Sequence, residues 1–151
     1  MNVKEYLEQL VKLDTIIINK MVEKLNWIDV AQGITAQFGG ERVQSSGSQQ
    51  KMADAIDIAA DIQLEIDGLK AQKKEIDRTI QQLNATEYDV IHKRYIQNME
   101  FEDIGASKKQ SKSWATTVHG RALKNLQRIL DVQEQEKREW ADSLIEKLQN
   151  M

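Results

Sequence analysis

The sequence predicts an all-α protein, and three observations carry the prediction. Its 151 residues include no proline, aromatic residues make up 5% and charged residues 30%, a balance that suits long solvated helices better than a packed sheet. Apolar residues recur three or four apart over two long segments, the spacing of one helix face. Four of the seven glycines fall between those segments, in residues 33–50. The expected architecture is a long, coiled-coil-like helical hairpin, then a helix-turn-helix, then a C-terminal helix.

The first helix is expected over residues 3–31, where Tyr6, Leu10, Leu13, Ile17, Met21, Leu25 and Ile28 form one stripe. Residues 49–84 repeat the pattern through Met52, Ile56, Ala59, Ile66, Leu69, Ile76, Ile80 and Leu83. At 1.5 Å per residue this second helix extends for roughly 50 Å, so it must pack lengthwise on the first helix or on a second copy. Residues 1–84 therefore read as an antiparallel hairpin that serves as an association arm and makes the protein a homodimer. Residues 33–50 read as its flexible linker. The glycine pair there lacks the Walker spacing of a phosphate loop. Ser46 and Gln49 have capping-box spacing, which starts the second helix at that point.

A hinge at Asn84 to Glu87 precedes a third helix, with Thr86 and Asp89 in a capping arrangement and Tyr88, Ile91, Tyr95 and Ile96 as its apolar face. Asn98 marks its end. A short helix over about 100–106 turns Ile104 inward. Ser111 then caps a helix over about 112–130 whose Ala115, Val118, Ala122, Leu123 and Leu126 follow at helical spacing. The stretch from 101 to 123 reads as a helix-turn-helix, a motif that lays the polar face of its second helix in the DNA major groove. Lys112, Ser113, Thr116 and Thr117 form that face. Beyond Leu130, the residues Val132, Trp140, Leu144, Ile145 and Leu148 continue a sparser stripe through a C-terminal extension, 131–151, suited to packing or self-association.

Charge is distributed unevenly. The formal net charge is -3, yet residues 86–130 carry 8 basic and 5 acidic side chains, against 10 and 13 in residues 1–85 and 3 and 6 in residues 131–151. Lys108, Lys109, Lys112, Arg121, Lys124 and Arg128 are concentrated in the second half of the one net-basic block, the electrostatic footprint of a phosphate-binding face. With no cysteine there is no disulfide framework and no thiolate metal site. No apolar run is long enough to span a bilayer and the N-terminus lacks a signal peptide's order, so no membrane partner and a cytoplasmic location are expected.

The same residues argue against an enzyme. His119 stands at the edge of the buried face and His92 on an exposed one, without a second histidine at ligand spacing. Asp54, Asp57, Asp61, Glu65 and Asp67 lack the Glu-x-x-His pairs of a bundle metal site. No nucleophile elbow is present. The expectation is therefore no catalytic residue, no metal and no cofactor. Trp114 lies off the core stripe, placed either to pack on a neighbouring helix or to meet DNA.

From Thr86 to Leu130 the order EYDVIHKRYI, FEDI, S-K-S and HGRALKNL resembles the fourth region of primary bacterial sigma factors. It is closer still to phage-encoded sigma-like proteins, the late-gene transcription regulators of the ArpU type. The likeness reaches back to about residue 4 through the glycine- and serine-containing linker and the acidic helix IDIAADIQLEIDGLKAQKKEID. It implies a DNA-binding module over 85–130, encoded by a phage or prophage and acting in the bacterial host cytoplasm on double-stranded DNA, with RNA polymerase as a further partner. By position it assigns base reading to Lys112, Ser113 and Thr117 and backbone contacts to Trp114, Thr116 and Arg121, with Lys108 and Lys109 beside them. None of the three readers is an arginine, so bidentate reading of guanine by arginine is absent, and the short hydroxyls suit either base and a thymine methyl. In the turn the family places a leucine and often a glycine where this chain has Lys108 and Lys109. Gly105 replaces a usual alanine, and Ser107 with Gln110 offers a second capping box. The alternative reading is a protein-binding module that docks on RNA polymerase or another regulator with little DNA affinity of its own.

Overall fold

The computed structural model is all-helical over the described residues, 1–38 and 46–151, with the side chains of 34–38, 46 and 48 outside the description. The helices are α1 (Val3–Phe38), α2 (Ser46–Ile80), α3 (Ala85–Ile91), α4 (Phe101–Ser107) and α5 (Lys112–Gln149). α3 runs on into a wide π turn over His92–Ile96. The expected linker over 33–50 is thus helical at both ends: α1 continues to Phe38 and α2 begins at Ser46. Gly33 meets nothing within 4 Å of a Cβ position, and a solvated glycine costs a helix only about 1 kcal/mol, too little to stop one that lacks proline. The linker's remaining residues, 39–45, and the Ser46 side chain of the capping box lie outside the described residues.

Two compact units emerge, residues 12–74 and residues 1–11 with 75–151. The expected boundary at residue 84 is displaced, because the first turns of α1 and the end of α2 belong to the same unit as α3–α5. An unbroken apolar stripe gives no sign of where its covering partner changes.

In the unit of residues 12–74, Ile17, Ile62 and Ile66 form a buried cluster, with Trp27, Ile58 and Leu69 packed against it. Asp14 pairs with Lys73, Lys20 lies 2.9 Å from Glu65, and Lys24 donates to Gln63 Oε1 at 2.6 Å. Partner numbers fall along α2 as they rise along α1, so the two helices run antiparallel here. The ion pairs are solvated and set register more than stability; the isoleucine cluster supplies the burial.

In the other unit Leu7, Leu10, Ile80, Leu83, Val90, Ile91, Ile104 and Leu126 are buried. The Val3 amide donates to Gln127 Oε1 at 2.9 Å, Gln127 Nε2 donates to the Met1 carbonyl at 3.0 Å, and Tyr88 Oη donates to Asp77 at 3.1 Å. α3 is capped by Asn84, whose side chain accepts from the Glu87 amide at 2.9 Å. Thr86, the expected cap, instead lies inside the helix. Asparagine outranks threonine as a cap, and capping two residues earlier brings Glu87 into the interior. There Asn125 Nδ2 donates to both carboxylate oxygens, at 2.7 and 3.1 Å. Asn98, at φ 58°, ends the π turn as expected, since asparagine enters the left-handed region more readily than most residues. α5 is one helix of 38 residues, so the expected recognition helix and C-terminal extension are continuous. Its buried face runs through Ala115, Val118, Ala122, Leu126 and Leu130.

Candidate nucleic-acid interface

The turn between α4 and α5 sets how α5 is presented. Ser111 adopts extended backbone and its hydroxyl accepts from the Trp114 amide at 3.1 Å, capping α5 as expected. α4 ends where the Lys108 and Gln110 amides both donate to the Gly105 carbonyl, at 3.0 and 2.8 Å. The chain therefore folds back over Gly105, and a Cβ there would stand 2.5 Å from the Ser111 carbonyl oxygen. Glycine, where the resemblance places an alanine, is what this close approach requires. Ser107 donates to the Ile104 carbonyl at 2.6 Å, which replaces the expected capping box with Gln110. Lys109 takes the left-handed conformation, φ 56°, at the site where the resemblance places a glycine.

Beneath the turn Val90, Ile104, Ala115 and Val118 form a buried cluster against which Met99, Phe101 and Trp114 pack. Trp114 is thus half-buried at the edge of the core, where Ala115 and Val118 fill the centre of the stripe and leave its border to the indole. Lys108 is exposed but paired. Its ammonium lies 2.8 Å from Asp89 Oδ2, and Lys93 pairs with the same carboxylate. Burial pushes the Asp89 carboxyl up, but the ammoniums of Lys108 and Lys93 outweigh it and hold the group below the ordinary carboxylate value. Lys108 ties the turn to α3, and Asp89 offsets its charge.

The rest of the expected face is exposed. Successive helical residues turn by about 100°, so Ser113, Thr117, Gly120, Arg121, Lys124 and Arg128 share one side of α5, opposite Ala115 and Val118, with Thr116 at its edge. All seven are exposed. Lys112, also exposed, stands about 100° round from Ser113, and Lys109 is exposed in the turn before it. Thr116 Oγ1 and Thr117 Oγ1 both donate to the Ser113 carbonyl, at 2.9 and 2.8 Å. Their hydroxyl protons are engaged within the helix, so in this arrangement what they present to a partner is an acceptor oxygen and a methyl group. Lys124 and Arg128, not assigned from the resemblance, complete the face. Their signal in the sequence was spacing: Lys124 stands seven residues after Thr117 and Arg128 seven after Arg121.

His119 occupies the opposite border. Its Nε2 is 2.8 Å from Tyr95 Oη, its ring stacks on Tyr95 and meets Phe101 edge-on at 4.9 Å, and burial, with Arg94 and Lys4, pushes its pKa down. A neutral, aromatic-packed imidazole is a structural histidine. Among the described residues no group of three His, Asp or Glu side chains could hold a metal ion, and no helix is long and apolar enough to cross a membrane.

Gly120 sits in the middle of the exposed face with nothing within 4 Å of its Cβ position. Packing gives it no reason to be glycine. Gly120→Ala is expected to raise stability by about 0.5–1 kcal/mol, read as a higher denaturation midpoint; a lower one would mean that the position is not in open space. No model of a known protein family matches the chain, and no curated protein and no solved structure does either.

Proposed function

We propose that the protein is a DNA-binding transcription regulator whose α4, turn and α5 form a sigma-region-four-like helix-turn-helix, with α1 and α2 as a coiled-coil-like hairpin that acts as the association arm. One observation carries this reading. No acidic residue occurs between Asp103 and Asp131, and the cations and hydroxyls of that interval gather on one exposed face of α5. Three cations at a spacing of three and four, Arg121, Lys124 and Arg128, follow a phosphate backbone, while Ser113, Thr116 and Thr117 stand nearer the turn, at the end a recognition helix turns towards base edges. The acidic balance elsewhere limits non-specific attachment and leaves this face as the attractive surface.

The test is binding to duplex DNA across a range of salt. Affinity falls with a slope of about 0.9 per neutralised phosphate on logarithmic axes, so Arg121→Ala and Lys124→Ala should each flatten the slope by about one unit and act alike on all sequences. Affinity and slope unchanged in both variants would reject the face. A second reading draws on the exposed Trp140, Leu144 and Leu148, which suit a protein partner such as RNA polymerase. Salt-independent, weak DNA binding by the parent would favour it.

A further inference from the structure

We infer that the outer face of α1, in the unit of residues 12–74, pairs antiparallel with the same face of a second copy of the chain. Ile18, Met21, Val22 and Leu25 are 60%, 46%, 53% and 58% exposed. Their spacing makes them one stripe, and Ile17, the α1 residue in the buried cluster with α2, lies about 100° round from Ile18. α1 therefore carries two apolar faces, the pattern of a helix with two neighbours, while α2 covers one of them. One turn beyond Leu25, Ile28 lines an apolar groove of about 500 Å³ with Ala31, Met52, Ile56 and Ala59.

The rim of the stripe identifies its occupant. Lys20 and Lys24 turn to Glu65 and Gln63 on α2, which leaves the exposed amides of Asn19 and Asn26 along the edge. A two-fold axis between Met21 and Val22 sets Ile18 opposite Leu25 of the second copy and Asn19 close to its Asn26. An amide both donates and accepts, so two identical rims complete each other. Parallel pairing would instead set Asp29 beside Asp29, whereas the antiparallel axis sets it opposite Asp14, whose charge Lys73 offsets. The other exposed apolar stripe, Trp140, Leu144 and Leu148, lies in a segment with 3 basic and 6 acidic residues, and two copies of it repel. The pairing specifies the surface by which the proposed arm associates, and it stands whether or not α5 binds DNA.

The chain contains no cysteine, which permits a direct test on the full-length protein. Val22→Cys, beside the axis, should give a covalent dimer with a short thiol cross-linker, while Leu64→Cys on the outside of α2 should not. The parent should sediment at twice its 17.4 kDa, and Ile18→Asp should sediment as a monomer with undiminished helical circular dichroism. A monomeric parent overturns the inference, as does cross-linking at Leu64→Cys equal to that at Val22→Cys. A dimer that cross-links through Leu144→Cys and not Val22→Cys also overturns it and moves self-association to α5. DNA binding is measured separately, so loss of either conclusion leaves the other legible.

Discussion

Gly105→Ala is expected to destabilise the protein by about 2 kcal/mol and to weaken DNA binding with it. Two effects oppose each other at this position. Alanine is the better helix former by about 1 kcal/mol. Its Cβ, however, would lie 2.5 Å from the Ser111 carbonyl oxygen and 2.7 Å from the carbonyl carbon. Both are backbone atoms at the cap of α5, so no side chain can move aside, and overpacking against them belongs at the upper end of the roughly 1–3 kcal/mol range. Relief comes only by opening the turn, which displaces the Ser111 cap and the start of the proposed DNA face. Thermal unfolding should show a midpoint lower by about 4–8 °C. Gly120→Ala, open on the same helix pair, supplies the opposite sign. Stabilisation by both substitutions would show that the turn does not close over Gly105.

Ile66→Asp is expected to cost about 4 kcal/mol or more and to unfold the unit of residues 12–74. The side chain is 1% exposed, among Ile17 and Ile62. Truncation alone leaves a cavity worth about 2–5 kcal/mol, and an unpaired carboxylate in that cavity adds its desolvation. Ile18→Asp, 60% exposed one position along α1 from Ile17, should change the stability of the single chain by no more than about 0.5 kcal/mol. Limited proteolysis distinguishes the two: new cleavage within residues 12–74 for Ile66→Asp, the parent pattern for Ile18→Asp. Equal sensitivity in both variants would mean that the inner and outer faces of α1 are misassigned. Ile66 and Ile76, on the α2 stripe that the sequence left to pack on the first helix or on a second copy, are buried within the chain.

Helix content, the Ser111 cap, the Asn98 stop and the polar side of α5 were legible from local signals: spacing, one capping side chain, one residue tolerant of positive φ. Those are determined within a turn or two of chain, where a residue and its consequence are neighbours. Asn84 displaced Thr86 as a cap because asparagine is the stronger cap and because capping there lets Glu87 meet Asn125, a contact that lies far along the chain. α1 runs on past Gly33 because a glycine weakens a helix without ending it, while α2 begins at Ser46, where the capping-box spacing places its start.

Tertiary structure alone decided which partner covers each stripe. Apolar periodicity specifies that a face is buried, and it is silent about whether α2, α5 or a second chain buries it; hence the unit boundary at residues 11 and 74, the inward turn of Ile66 and the two faces of α1. It also decided which cations remain available. Lys108 and Arg121 are alike as letters, but Lys108 meets Asp89 from a helix nineteen residues earlier, and charge in a protein is set by neighbours in space.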